Sequence, residues 1–401
     1  MGSNENPQNI IRSWNLQQSF NGGRIVEDKL VPPAFGRIRS LFVGVWREQQ
    51  LDSTLDWGKS NVSVYLPESL LVVQSAFLKI ELPANSGSNA FKKYPGIHAI
   101  KSFRILSAGV EVYTADFKQH LVDYCSSLSN EQLGAFTKTY LGHQDVMDAT
   151  ARNLILPVLL FNSTYIGRSG GKRGHGILPA YLGQTRLEIQ ITMNTAQTVS
   201  AVAGQAPASI SNKCSILYHT AEMSPQNVLR YSDLRGSYSI INRRFTELTS
   251  GFRAAAANTE TSWFMSQPQG TCVEVMLLAY ATATYATEDI HGTTFTRPVA
   301  FRVEADNIIQ KNLDTKEKIE MELYTNGFVS PNADFNQPAR LCFASHCAES
   351  DHKYSGGYNM TLASNIQFFF KFPVAVRYKL VAVQLQRIKI DSNGAIRSYL
   401  D

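Results

Sequence analysis

The stretch RLEIQITM, Arg186 to Met193, decides the fold class of this chain. Its apolar and polar residues alternate without a break: Leu187, Ile189, Ile191 and Met193 alternate with Arg186, Glu188, Gln190 and Thr192. Successive side chains of a β-strand point to opposite faces of the sheet, so this pattern predicts a strand with one face in a core and one in water.

Comparable runs recur along the chain. They lie at 61–66, 75–82, 97–113, 155–161, 215–219, 273–280, 299–304, 318–324, 366–372 and 377–390. We therefore expect about half of all residues to be in strands. In the run KIEMELY, 318–324, the alternation predicts that Ile319, Met321 and Leu323 face inward while Lys318, Glu320 and Glu322 face water.

A helical patch at 114–140 interrupts the strands. Thr114 is expected to cap a first helix, and Ser129 with Gln132 predicts a capping box for a second. The predicted apolar faces carry Phe117, Leu121 and Tyr124 in the first helix and Leu133, Phe136 and Tyr140 in the second.

The length of 401 residues suits two domains, each large enough to bury a core. We predict an extended N-terminal arm at 1–36, a first sandwich at 37–224, a linking helix at 225–236 and a second sandwich at 237–401. The helix is expected because Pro225 follows a capping serine. The small and polar segment 195–212 is interpreted as an exposed loop within the first sandwich.

Composition excludes several classes of protein. The net charge of +5 over 401 residues is far from the concentrated basic footprint of a dedicated nucleic-acid binder. Five scattered cysteines do not predict a disulfide framework and suit a reducing compartment. The N-terminal residues do not resemble a signal peptide, and the apolar run 154–161 is shorter than the roughly 18 residues of a membrane span. We expect a protein made inside the cell and not secreted by a signal peptide.

The stretch YIGRSGGKRGHGILP, 165–179, concentrates glycines and basic side chains. A phosphate-binding loop would require Ser or Thr after Lys172 and a helix after the loop. Arg173 follows instead, and the next segment has a strand pattern. We interpret 167–176 as a flexible basic turn that joins two strands and contacts solvent or a neighbouring subunit.

No other motif predicts chemistry. Cys342, His346 and Cys347, with His352 nearby, have no second ligand pair, and on one strand Cys347 would point away from the other two. The chain has no H-x-H pair and no nucleophile elbow. The carboxylate pairs Asp145 with Asp148 and Glu320 with Glu322 are expected in a loop and on a solvated strand face. We predict no catalytic, cofactor-binding or metal site.

Five segments, taken in order, carry a resemblance to a known family. They are IKSFRILSAGVEVYTADFKQHLVDYCSSL (100–128), LILPVLLFNSTYIG with GILPAYLGQTRLEIQI (154–191), CSILYHTAEMSPQNVLRY (214–231), ARLCFASHCAESDHKYSGGYNMTLASNIQFFFKF (339–372) and YKLVAVQLQRIKIDSNGAIRSYL (378–400). In the last of them Asn393-Gly394 is the expected turn dipeptide. Together they resemble the double jelly-roll major capsid proteins of large nucleocytoplasmic DNA viruses, virophages and polinton-like viruses.

The resemblance implies an all-β fold of two tandem eight-stranded antiparallel jelly-roll sandwiches with a few short flanking helices. It implies a non-enzymatic virion protein, assembled in the host cytoplasm or nucleus, whose homotrimers form pseudo-hexameric capsomers of an icosahedral shell. Its partners would be neighbouring capsomers, penton and minor capsid proteins, without a cofactor or small-molecule substrate. The arm, through Arg12, Arg24 and Lys29, would contact a membrane or the genome, or else carry solvated charges.

Two questions stay open at this stage. The candidate interface aromatics, which can equally fill the sandwich cores, are Trp46, Trp57, Phe136, Tyr140, Trp263 and Phe264. The alternative function is a carbohydrate-binding or adhesive β-sandwich, such as a viral spike or lectin, which would usually carry an export signal. A β-sandwich hydrolase is disfavoured because no catalytic constellation is present.

Overall fold

The structure is a computed structural model of the 401-residue chain. It describes residues 24–26, 43–51, 54–66, 71–83, 91–126, 128, 130–142, 152–158, 178–179, 187–201, 205–210, 214–222, 239–266, 269–285, 295–326, 328, 336–343, 345–346, 353–355 and 357–400.

Among the described residues, the first half contains ten strands, the first of which belongs to a small separate sheet. They are β1 (Arg24–Val26), β2 (Val43–Gln50), β3 (Val62–Tyr65), β4 (Leu71–Leu82), β5 (Ile100–Ser107), β6 (Val110–Asp116), β7 (Arg152–Pro157), β8 (Leu178–Pro179), β9 (Leu187–Met193) and β10 (Cys214–Glu222). Two antiparallel sheets result, with strand orders β2-β10-β4-β7 and β3-β9-β5-β6. The short strand β8 pairs with the start of β4.

The second half repeats this arrangement. Its strands are β11 (Ser239–Glu247), β12 (Arg253–Ala255), β13 (Glu260–Ser266), β14 (Thr271–Ala281), β15 (Ala300–Ala305), β16 (Ile308–Leu313), β17 (Ala339–Cys342), β18 (Ser345–His346), β19 (Lys353–Ser355), β20 (Tyr358–Asn359), β21 (Asn365–Lys371), β22 (Val376–Ile390) and β23 (Ile396–Leu400). The main sheets have the orders β11-β22-β14-β17 and β13-β21-β15-β16, while β12 and β23 pair with β22 and β20 pairs with β14.

The two halves have the same topology. Counting only the strands of the main sheets, each half places its first, eighth, third and sixth strands in one sheet and its second, seventh, fourth and fifth in the other. This Greek-key order over two packed sheets is the jelly roll. The prediction of two eight-stranded antiparallel jelly rolls in one all-β chain is confirmed. We call the two halves the first roll and the second roll.

Strands predicted from alternating residues are confirmed where one face of the sheet is buried and the other is exposed. In β9 every second residue from Leu187 to Met193 is buried, and β3 buries Val62 and Val64 but exposes Tyr65. The turn between β22 and β23 uses the predicted dipeptide, with Gly394 at φ 74°. In the turn between β15 and β16, Asp306 and Asn307 both have positive φ, as a two-residue hairpin turn of type I′ requires.

The segment KIEMELY was predicted wrongly. It lies in a helix, Lys316–Thr325, whose N-cap Thr315 accepts a hydrogen bond from the Lys318 amide. The helix buries Ile319 and Leu323, four residues apart, and leaves Met321 57% exposed. Apolar residues at positions i, i+2 and i+4 fit the two-residue period of a strand. The first and last of them also lie on one face of a helix, so the same sequence fits both structures.

Six α-helices flank the sheets within the described residues. They are α1 (Pro95–Ala99), α2 (Phe117–Ser126), α3 (Asn130–Ala135), α4 (Ala196–Val199), α5 (Thr282–Tyr285) and α6 (Lys316–Thr325). Phe136–Tyr140 continues α3 as a π-helical turn, and Met360–Leu362 is a 3-10 turn.

The predicted cap of the first helix was also wrong. Thr114 lies within β6. The carboxylate of Asp116 accepts hydrogen bonds from the backbone amides of Lys118 and Gln119, at 3.0 and 3.2 Å. The predicted apolar residues Phe117, Leu121 and Tyr124 are all buried, because α2 is covered on almost every side. Asp116 is therefore the N-terminal cap of α2.

The segment 195–212 is not a simple exposed loop. It contains α4, and Val199 and Ile210 are completely buried. Other predictions lie outside the described residues: the capping serine Ser129, the linking helix at 225–236, the basic turn at 167–176 and most of the arm at 1–36. Within the arm, β1 pairs antiparallel with β19.

The apolar core of the first roll continues into the second. It includes Met276 and Leu278 of β14 and Val381 and Val383 of β22, while the intervening residues of both strands belong to the core of the second roll. All residues of β14 between its two ends are buried. The sheet β11-β22-β14-β17 is thus covered on both faces.

Candidate functional site

The two rolls meet where α2 and β6 of the first lie against the sheet β11-β22-β14-β17 of the second. The side-chain amide of Gln386 donates to the Val112 carbonyl of β6 at 3.0 Å. The side-chain amide of Gln119 on α2 donates to the Glu247 carboxylate at 3.2 Å. We call this contact region the junction.

Four charged side chains are buried together in the junction. Asp123 comes from α2, and Arg243, Glu274 and Arg340 come from β11, β14 and β17. The two guanidinium groups both contact one oxygen of Glu274. The Asp123 carboxylate lies 3.2 Å from Arg243 and 3.6 Å from Arg340. None of these side chains is more than 3% exposed.

The charges in this quartet balance only when both rolls contribute. The second roll supplies two guanidinium groups and one carboxylate, so it would bury an excess positive charge without Asp123. Burying an uncompensated charge is strongly unfavourable, whereas a paired and hydrogen-bonded set is tolerated. Arg340 is further held by the ring of Phe328, 4.1 Å from its guanidinium carbon. The quartet therefore favours this one way of pairing the two rolls.

Two titratable groups lie beside the quartet. Burial lowers the pKa of His120 to about 4, although the nearby Asp123 charge opposes this shift. The His120 ring packs edge-on against Phe103 at 5.0 Å. Burial and the Asp123 charge both raise the pKa of Tyr113. At neutral pH the histidine is a neutral core residue and not a general acid or base.

The candidate ligands around Cys342 do not form one site. Cys342 is buried at the end of β17, while His346 lies in β18, a strand of a different sheet. Cys347 and His352 lie outside the described residues, as do Asp145 and Asp148. Among the residues that are described, no group of three or more His, Cys, Asp or Glu side chains could hold a metal ion.

Glu320 and Glu322 lie on α6 and are both paired. Glu320 forms an ion pair with Arg297. Glu322 forms an ion pair with Lys311 and also accepts a hydrogen bond from the backbone amide of Cys342 at 3.0 Å. The prediction that both carboxylates face water was wrong for Glu322, whose side chain is 11% exposed, but not for Glu320, whose side chain is 42% exposed.

The candidate aromatic residues divide between surface and core. Trp46 is 59% exposed, Phe264 55% and Tyr140 38%, whereas Phe136 is buried. Trp57 and Trp263 are partly buried against the cores of the two rolls. Sequence reasoning could not separate these groups, because aromatic residues suit both cores and interfaces.

Solved structures share this arrangement over nearly their whole length. PBCV-1 VP54, as fitted into a cryo-EM reconstruction of the virophage Sputnik, superposes with a TM-score of 0.63 at 12% identity, covering 90% of this chain and 98% of that one. The Faustovirus major capsid protein superposes with a TM-score of 0.59 at 8% identity, covering 95% of this chain and 97% of that one. The mavirus major capsid protein superposes with a TM-score of 0.51 at 11% identity, covering 88% of this chain and 90% of that one.

The chain has the double jelly-roll fold of viral major capsid proteins. No protein-family model and no curated protein matches its sequence. At 8 to 12% identity the similarity resides in the three-dimensional arrangement. In this double jelly roll the junction sets the position of one roll relative to the other.

Within the part of the chain that the structure describes, no helix has the length and apolar character needed to cross a bilayer.

Proposed function

We propose that this protein is a major capsid protein, a structural subunit of a viral shell. The observation that carries the proposal is the repeated jelly roll on a single chain, in an order that matches viral major capsid proteins over 85% or more of both chains. The buried quartet supports it, since a shell subunit needs two rolls held in a fixed relation. No catalytic role is part of this proposal.

The unit of assembly in this proposal is a homotrimer. Three chains bring six jelly rolls around a threefold axis, and the resulting block is close to hexagonal. Closed threefold symmetry requires a heterologous interface, in which one flank of each chain contacts a different flank of the next. An obligate interface of this kind is expected to bury on the order of 2,000 Å² or more in total.

The further partners follow from a shell made of such blocks. Neighbouring trimers would meet at the edges of each block, with penton and minor capsid proteins at the vertices and between capsomers. The N-terminal arm would reach beneath neighbouring blocks towards a membrane or the genome. The protein would be assembled within the host cell and reside in the virion capsid.

Electron microscopy of the purified protein tests this function. Capsomer-sized particles with hexagonal outlines, or closed shells, would support a capsid role. Single two-lobed particles that remain monomeric and bind glycans would contradict it and favour the alternative of an adhesive or carbohydrate-binding protein.

A further inference from the structure

A histidine lies beside the buried quartet, on the helix that carries the first roll's contribution to it. His120 precedes Asp123 by three residues on α2, so the two side chains lie on the same side of the helix. Both residues are less than 5% exposed. The Asp123 charge acts on the histidine ring, which places the two groups close together. The quartet therefore has a titratable neighbour within the first roll.

The surroundings of the His120 ring suit a neutral imidazole. The ring packs edge-on against Phe103 of β5 at 5.0 Å, and its centre lies 6.4 Å from that of Phe117. The Pro157 carbonyl of β7 is within hydrogen-bond reach of the ring. The Nε2 atom is buried and has no hydrogen-bond partner among the described residues. A second proton on this ring would therefore add a buried charge.

The titratable groups around His120 come from both rolls. Asp123 lies on the same helix, and Tyr113 of β6 lies close enough to be affected by the Asp123 charge. Beyond Asp123 are the charged groups of the second roll, Arg243, Glu274 and Arg340. The neighbours from β5 and β7, Phe103 and Pro157, carry no charge. Because burial raises the pKa of Tyr113 and arginine keeps its proton, neither changes its charge in acid, whereas a histidine begins to take up a proton near neutral pH.

A proton on His120 would change the charge balance of the junction. The quartet holds two guanidinium groups and two carboxylates, so its charges sum to zero. An imidazolium would be a third positive charge and would compete with Arg243 and Arg340 for the Asp123 carboxylate. The two guanidinium groups would then depend on Glu274 alone. Such an excess of buried charge is unfavourable in a dry contact and is relieved when water enters.

Each roll has packing that does not depend on this contact. The core of the second roll lies on the other face of β14 and β22 and includes no member of the quartet. In the first roll, the aromatic neighbours of His120 come from β5 and α2, which belong to that roll. The contact that an added charge disrupts first is therefore the junction.

We propose that the junction is an acid-sensitive switch, in which protonation of His120 draws Asp123 away from the two arginines and parts the rolls while each roll stays folded. This inference goes beyond the proposed function and does not depend on it. In a viral shell, such a switch would keep the two rolls of a subunit in a fixed relation at neutral pH and loosen them in an acidic compartment.

The direction of the effect follows from the two protonation equilibria. The pKa of His120 is about 4 in the closed junction, whereas a histidine in contact with water titrates near 6.5. The open form therefore takes up the proton first as the pH falls. The ratio of open to closed molecules should rise about tenfold per pH unit between pH 6.5 and about 4, and level off below that range.

Hydrogen exchange of the full-length protein, followed by mass spectrometry at pH 7, 6 and 5, tests the switch. The amides of α2 report on the junction, because the second roll covers this helix. The amides of β9 and β21 report on the two rolls, because these strands lie in the sheets β3-β9-β5-β6 and β13-β21-β15-β16. After correction for the intrinsic pH dependence of exchange, α2 should exchange about tenfold faster per pH unit, while β9 and β21 stay protected.

Three variants separate the switch from a general effect of acid. In His120→Gln the side chain takes up no proton, so the added exchange of α2 in acid should disappear. His98→Gln is the matched control, because it replaces a second buried histidine of the first roll, on α1, and should keep the wild-type response. Asp123→Asn leaves the histidine unchanged but removes its counter-charge from the quartet, so α2 should already exchange faster than in the wild type at pH 7.

Three results would overturn the proposal. If α2, β9 and β21 lose protection together, acid unfolds the whole chain and does not open the junction first. If His120→Gln keeps the wild-type pH dependence, another group is the sensor. If α2 of Asp123→Asn is as well protected at pH 7 as α2 of the wild type, the quartet does not hold the rolls together.

Discussion

Asp123 contributes the only acidic group that the first roll brings to the buried quartet among the described residues. The Asp123 side chain is only 3% exposed, so that an unpaired carboxylate or guanidinium at this position would be strongly disfavoured. The balance of buried charge at the junction therefore depends on a single side chain whose two cationic partners lie on two different strands of the other roll, β11 and β17.

Substitution of Asp123 by Asn should destabilise the protein by about 3 kcal/mol, because two buried guanidinium groups then share one carboxylate. The change preserves side-chain size, so a cavity does not contribute. The midpoint of urea unfolding, measured at a fixed protein concentration, reports the loss. The matched control is Asp391→Asn, which removes an exposed ion pair with Arg397 and should cost less than about 1 kcal/mol. Equal effects for the two variants would contradict the role given to the quartet.

His120 predicts a loss of stability in acid. The pKa of this residue is about 4 in the folded protein and 6.5 in the unfolded chain, so the unfolded state binds the proton first as the pH falls. Stability should decline between pH 6.5 and about 4, by about 3 kcal/mol in total.

The variant His120→Phe cannot take up this proton. Unfolding midpoints measured from pH 7 to pH 4 should therefore fall less steeply for the variant than for the wild type. Comparing slopes removes any constant packing effect of the larger ring. Two parallel pH profiles would show that the histidine is not held neutral by burial.

At the scale of elements, the N-terminus of α2 distinguishes the structure from the sequence prediction. Asp116→Ala should destabilise the protein by about 1 kcal/mol, because two amides of the first turn lose their acceptor. Thr114→Ala should cost clearly less, since Thr114 lies in β6 and caps no helix. Thermal unfolding of both variants checks this order, and the reverse order would restore the cap predicted from sequence.

The strands could be predicted where one face of a sheet is wet and the other dry. The sequence RLEIQITM predicts β9 because its apolar and polar residues alternate between the buried and the exposed face of the sheet. β14 shows little alternation, because the second roll's core lies on one side and the first roll on the other. The helix α6 was mistaken for a strand because the apolar spacing of seven residues fits both periods, although its Lys, Glu, Met and Leu residues are good helix formers.

The quartet could not be predicted from sequence. Asp123 and Glu274 are far apart along the chain, and isolated charged residues usually lie on the surface. Neither residue stands in a motif, so only the packing of α2 on the second roll brings them together. A candidate signal exists in retrospect: Glu274 interrupts the apolar run 271–281, in which a lone acid needs a buried partner.

At the scale of the whole molecule, one topology is used twice, and each copy leaves a different surface open. The sheet β2-β10-β4-β7 of the first roll has an exposed outer face, whereas the sheet β11-β22-β14-β17 of the second roll is covered by the first roll. A chain whose two rolls differ in this way is suited to head-to-tail association, which closes into a ring when the rotation between copies is a simple fraction of a turn. The proposed capsomer follows from this asymmetry and from the fold shared with viral capsid proteins.

The native mass of the unmodified full-length protein tests this account most directly. Native mass spectrometry at micromolar concentration should give three times the 44.6 kDa of one chain, with no stable dimer, because a closed ring of three leaves no contact surface between subunits unoccupied. A protein that stays at 44.6 kDa over the same concentrations would contradict the account.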